Sequence, residues 1–220
     1  MQRVLRDNGL SLVMFLMFVT FLVAQSIVGH RQYNHEQVEH QQATVTYSEY
    51  VTGSHFLEAT MENWESEFFQ MFFFIVLTAF LYQRGSAESK DPDKEQEVDK
   101  EPHKSNRKDA PWPVRKGGWI LKLYEHSLSL VFLLLFLGSF ILHGVGGANE
   151  YNEDQKTHGR NERLTTIQYM TTSRFWFESF QNWQSEFLAV GSMVVLTIFL
   201  REKGSKESKP VDSPHDETGK

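Results

Sequence analysis

Apolar residues in this chain are gathered into four blocks, residues 10–28, 68–82, 128–145 and 187–200, with strongly polar stretches between them. The first and third have about the length that crosses the hydrocarbon of a bilayer as a helix. The second and fourth hold 15 and 14 residues. At 1.5 Å per residue these cover only about 21–23 Å of a core roughly 30 Å thick. If they cross, their polar N-terminal turns also lie at membrane depth. The pattern predicts spans at about 10–28, 64–83, 123–145 and 183–201. Arg3 and Arg6 ahead of the first block also fit a secretory leader. Its counterpart at 128–145 sits in mid-chain, so the first block is expected as a retained span.

The blocks come in pairs. Residues 50–90 and 169–209, laid together at a shift of 119, agree at 19 of 41 positions. Both contain Asn-Trp-x-Ser-Glu-Phe, then an apolar run, then Gly-Ser-x-Glu-Ser-Lys. Leu10-Ser11-Leu12-Val13 answers Leu128-Ser129-Leu130-Val131, and Tyr33-Asn34 answers Tyr151-Asn152, both at a shift of 118. The expected architecture is an all-α integral membrane protein with four transmembrane helices, arranged as two tandem, parallel-oriented helical hairpins. The first repeat is 1–90 and the second 119–209. Between them, 91–118 changes from acidic to basic, carries four prolines and few apolar residues, and reads as a flexible cytoplasmic linker. Residues 210–220 read as a disordered tail, and 30–50 as an exterior loop. Ser54 and Ser173 are placed to cap the second helix of each repeat. Gly85 and Gly204 are placed where a left-handed residue ends it.

Charge adds orientation. The N-terminus, the 84–122 connection and the C-terminal tail hold 2, 10 and 5 Lys and Arg, against 1 and 4 in the loops 30–67 and 146–186. Positive residues accumulate on the cytoplasmic side, so both termini are expected there. The net charge of −6 gives no reason to expect nucleic acid. The absence of cysteine excludes disulfides, thiolate metal sites and cysteine catalysis.

Candidate chemistry is sparse. His35-Glu36-Gln37-Val38-Glu39-His40 lacks the His-Glu-x-x-His spacing that puts two imidazoles on one helix face, and no metal or cofactor is expected. No Ser/His/Asp spacing or glycine-rich phosphate loop is present, so an enzyme is not expected. The residues singled out are the repeated Asn63, Ser66 and Glu67 with Asn182, Ser185 and Glu186. Asn63 and Glu67 stand at i and i+4, as do Asn182 and Glu186, so each pair shares a helix face. A carboxylate at membrane depth is costly and is a functional candidate by default. Asn and Ser also hydrogen-bond between membrane helices simply to hold them together. Gln25 and His143, matched near the outer ends of helices one and three, are weaker candidates.

NWESEF with NWQSEF, GSAESK with GSKESK, and the stretch from Asp109 to Trp119 resemble an uncharacterised family of bacterial four-pass membrane proteins, catalogued as a domain of unknown function. The resemblance runs from about Arg6 to Pro210. It implies a multi-pass helical protein of the bacterial plasma (inner) membrane and supplies no activity or site residue. The function expected is a small membrane protein of structural, accessory or stress-related type. The alternative is a channel or transporter with a paired-carboxylate site at the outer ends of helices two and four. The expected partners are the lipid bilayer and a membrane protein or a second copy of the chain.

Overall fold

The computed structural model describes residues 2–102, 108–160 and 162–219. Part of the expected linker, 103–107, lies outside the described residues. Among these residues the structure is all helical, with no strand. The elements are α1 (Gln2–Glu39), α2 (Tyr47–Val51), α3 (Ser54–Thr78), α4 (Trp112–Lys116), α5 (Gly118–Glu125), α6 (Ser127–Thr157), α7 (Thr166–Tyr169) and α8 (Ser173–Phe199), with a 3₁₀ turn at Glu97–Asp99. Two of them, α1 and α6, are long and apolar enough to cross a membrane; four spans were expected. The apolar runs do not set the helix ends. α1 continues eleven residues past Val28 through the expected exterior loop, because nothing between Gly29 and Glu39 breaks a helix. α3 stops at Thr78, where the expected span ran to 83. There Ala79 and Phe80 turn their amides to the carbonyls of Val76 and Leu77, three residues back.

The chain divides into two compact units, Met1–Met61 with Leu142–Phe175, and Glu62–Ile141 with Trp176–Lys220. Each takes a segment from both sequence repeats.

The first unit is built from local polar chemistry that occurs twice. α1 ends with Gln42 N–H bonded to Gln37 O at 2.8 Å, and α6 with Arg160 N–H bonded to Gln155 O at 2.8 Å. This is the six-to-one closure of a Schellman end. Its left-handed residue is Gln41 (φ 57) in one case and Gly159 (φ 70) in the other. The side chain of Asn34 clamps both backbone groups of Val45, at 2.8 and 2.9 Å. Asn152 clamps Leu164 with the same two distances. Capping boxes then start the short helices: Thr46 with Glu49 opens α2, and Thr165 with Gln168 opens α7. Each is a side chain–backbone exchange that satisfies free amides of the first turn. The tyrosines that follow, Tyr50 and Tyr169, are buried. Each ring lies where a side chain on Gly29 or Gly147 would collide with it.

The second unit holds the aromatic packing. Phe69 of α3 stacks on Trp183 of α8 with ring centres 4.2 Å apart, and meets Phe136 of α6 at 4.9 Å and Phe187 at 5.7 Å. Phe73 also meets Phe187. Gly191, whose small size would permit close approach, has open space around it. Past the helix ends, both Gly-Ser-x-Glu-Ser-Lys copies fold alike. Gly85 and Gly204 adopt φ of 85° and 86°, the left-handed region that favours glycine. Their place is inside these loops, several residues after the helices stop. Ser86 and Ser205 accept from the amides of Glu88 and Glu207, at 3.1 Å each. Ser89 and Ser208 accept from Gln83 and Glu202, at 2.8 and 2.9 Å. Lys209, 1% exposed, donates to the carbonyls of Pro214, His215 and Glu217. An ammonium has three protons to place, and this one orders the segment expected as a disordered tail. Thr218 then accepts from the Gly85 amide at 2.8 Å.

Candidate functional site

The first unit gathers ionisable side chains where α3, α6 and the start of α8 come together beyond the apolar runs. Glycines allow it. A side chain on Gly146 of α6 would meet the backbone N and Cα of Glu58 at 2.7 and 2.9 Å, so α6 and α3 touch backbone to backbone there. Glu58 is buried. Its carboxylate accepts from the Tyr169 hydroxyl at 3.2 Å and lies 3.6 Å from the Arg174 guanidinium. A buried carboxylate needs such partners to offset the loss of water. His143 is fully buried, stacked on Phe175 with centres 4.7 Å apart. A nitrogen of its ring comes within 4.8 Å of a Glu58 carboxylate oxygen. These are two ligand atoms of the kind transition metals accept.

One turn before Glu58, the Ser54 hydroxyl meets Glu150 at 3.1 Å and Glu153 at 2.9 Å, two carboxylates one turn apart on α6. Beside them opens a cavity of about 140 Å³, lined by Tyr33 and Glu36 of α1, by His40 just past its end, and by Glu150, Glu153 and Asp154 of α6, among others. Burial pushes the Glu150 carboxyl up to about 7, with Glu153 and Asp154 adding to the rise and the Ser54 hydrogen bond and Arg174 opposing it. Burial, reinforced by Glu150, also raises the Tyr33 and Tyr50 phenols, and burial lowers His55. The same low-polarity surroundings thus disfavour the charged form of each group.

The residues singled out from the repeat lie in the second unit, Gln25 and His143 excepted. Gln25 is exposed and His143 buried. Glu67 and Asn63 are exposed; Ser66 is buried, its hydroxyl turned back to the Asn63 carbonyl at 2.8 Å. Ser185 is exposed and bonds the Asn182 carbonyl in the same way, at 2.8 Å. Asn182, half-buried, donates to the Glu62 carboxylate. Glu186 is half-buried and has Glu67 as its charged neighbour. Glu186 therefore feels the charge of Glu67, while Asn182 is directed to a different acid. The fully buried acid of this region is Glu65, which accepts from the Trp183 indole at 3.2 Å.

Glu58, Glu65 and Glu150 were not singled out from sequence. Their repeat counterparts are Phe177, Gln184 and Gln32, so a search for chemistry shared by the two copies passes over all three. The available signal was the asymmetry itself: an acid standing in one copy where the other has an apolar or amide side chain.

The described residues thus define an all-α protein with two helices long and apolar enough to cross a membrane and a polar, acid-rich cluster that includes the polar ends of both. The chain belongs to the family described as Domain of unknown function (DUF6766), whose model matches residues 1–220. No curated protein and no solved structure matches it.

Proposed function

We propose that this chain is a four-pass integral membrane protein made of two tandem hairpins. Both termini lie on the cytoplasmic side of a bacterial plasma membrane, and its role is structural, accessory or stress-related, without catalysis. The observation that carries the membrane reading is the surface of α1. Leu10 is 80% exposed, Phe15 70% and Phe21 64%, along a helix that buries almost nothing through five turns. Water would disfavour such a surface by roughly 25 cal/mol for each Å², and hydrocarbon would not. Support for the tandem arrangement comes from the duplicated Asn clamps, capping boxes and Gly-Ser-x-Glu-Ser-Lys loops. Support for α3 and α8 as the other two crossings comes from their 25- and 27-residue lengths and their aromatic packing. After cell fractionation, the protein is expected to stay with membranes through an alkaline wash. A reporter active only in the cytoplasm is expected to work when fused after Arg84 or at Lys220, and to fail near His40 or Arg160. Activity at His40 would overturn the orientation.

A second reading is favoured by the charge influence of Glu67 on Glu186 and by the buried Glu65. In it, these carboxylates handle protons or cations within the second unit. In liposomes containing a pH-sensitive dye, that role requires flux from the unmodified protein and its loss in the double variant Glu67→Gln, Glu186→Gln. No flux from the unmodified protein leaves the accessory role alone.

A further inference from the structure

The Ser54 hydroxyl has one proton and stands between two carboxyl groups. A hydroxyl donates once and accepts twice. With both acids ionised, only one of the contacts to Glu150 and Glu153, at 3.1 and 2.9 Å, can be a hydrogen bond. The other then sets oxygen lone pairs against a negative charge. With a proton on one acid, both contacts become hydrogen bonds, as that acid donates to Ser54 and Ser54 donates to the other. Glu150 is the more enclosed of the two, and Glu153 is exposed, so the proton belongs on Glu150. We propose that Ser54, Glu150 and Glu153 form a proton-dependent latch that fastens the first turn of α3 to α6 when Glu150 is protonated and releases it when both acids are charged.

The surroundings suit a latch that exchanges protons with the bulk medium. The cavity reaches Glu150 and Glu153 and carries polar groups along its wall. Charged and titratable neighbours come from each element packed against it: Tyr33 and Glu36 from α1, His40 just past its end, Tyr50 from α2, His55 from α3, Asp154 and Glu153 from α6, His158 just beyond it, and Arg174 from α8. Glu153 and Asp154 oppose a further negative charge at Glu150. Arg174 favours that charge but is also engaged with Glu58, 3.6 Å away. The rise of the Glu150 carboxyl to about 7 puts the exchange near neutrality. α3 is the helix that carries Glu58 and Glu65, so release at Ser54 acts on the element that holds both buried acids. The inference does not depend on the membrane reading, since every group lies in the first unit and beyond the apolar runs.

The test uses the full chain, which has no native cysteine. Spin labels go on the exposed positions 52 and 156 as Thr52→Cys and Lys156→Cys, and their separation is measured by pulsed electron resonance below and above neutral pH. Lys156 is exposed and one turn from Glu153, so every variant carries the same two labels and the comparison is made among them. The unmodified latch is expected to give a narrow distribution in acid and a broader, longer one in base. Glu150→Gln is expected to remain narrow at both, because its amide donates to Ser54 permanently. Glu153→Gln is also expected to remain narrow, because one neutral partner is enough. That outcome separates a shared proton from simple titration of Glu150. Ser54→Ala is expected to be broad at both. A distribution that does not change with pH in the unmodified latch overturns the proposal. So does a pH-dependent shift that survives in Glu150→Gln, whether or not Ser54→Ala folds.

Discussion

Gly146→Ala is expected to destabilise the protein by about 1–3 kcal/mol, the usual cost of forcing extra volume into a packed contact. The obstructing atoms are the Glu58 amide nitrogen at 2.7 Å and its Cα at 2.9 Å. Backbone in the middle of a helix cannot rotate away as the end of a side chain can, so α6 and α3 must separate. Separation also draws Glu58 away from Tyr169, exposing the cost of a buried carboxylate with fewer partners. The control is Gly138→Ala on the same helix, where an added methyl meets nothing within 4 Å. There the change is expected to be neutral, or stabilising by roughly 0.5–1 kcal/mol from helix propensity. Thermal unfolding of the purified protein in detergent measures both. Equal effects at the two glycines would mean that α6 and α3 do not approach at Gly146.

The second large effect is on stability against pH. The Glu150 carboxyl is raised from 4.5 to about 7, so the folded state binds a proton more tightly than the unfolded chain. That contribution is fully present below about 4.5 and is lost as pH rises to about 7; above that it is absent. The shift corresponds to at most about 3 kcal/mol. Other groups titrate over the same range, so the quantity to measure is the difference between Glu150→Gln and the unmodified chain. The variant is expected to gain relative stability steadily from about pH 4.5 to about 7 and to hold it above. A difference that is flat across this window, or that runs the other way, would remove Glu150 as a buried, proton-binding carboxyl.

How much of this was legible beforehand differs between the helices and the site. Apolar blocks, helix starts at Ser54 and Ser173, and the positive φ of Gly85 and Gly204 followed from local rules, but the expected caps did not: the Ser54 hydroxyl meets Glu150 and Glu153, and the Phe175 amide donates to Thr172. The ends did not: α1 runs on to Glu39 and α3 stops at Thr78, because helices continue until a breaker or a cap intervenes and hydropathy registers neither. Glu67 acts on Glu186 through its charge, yet the buried acids are Glu58 and Glu65. The repeat drew attention to what the two copies share. Burial depends on which copy faces which neighbour, and identical copies in different surroundings need different side chains.

By itself the sequence determined the helical class, the duplication of polar motifs and the apolar character of α1 and α6. These depend on residues within a few positions of one another, where spacing and side-chain chemistry suffice. Only the tertiary structure decided that Ser54 sits between Glu150 and Glu153, 96 and 99 residues away. It also decided that Glu58 lies against Gly146, and that Lys209 gathers the final segment around its ammonium. Such contacts arise from close approach between distant segments. The protonation of Glu150 follows from that approach, because it removes the water that would otherwise keep the carboxylate charged.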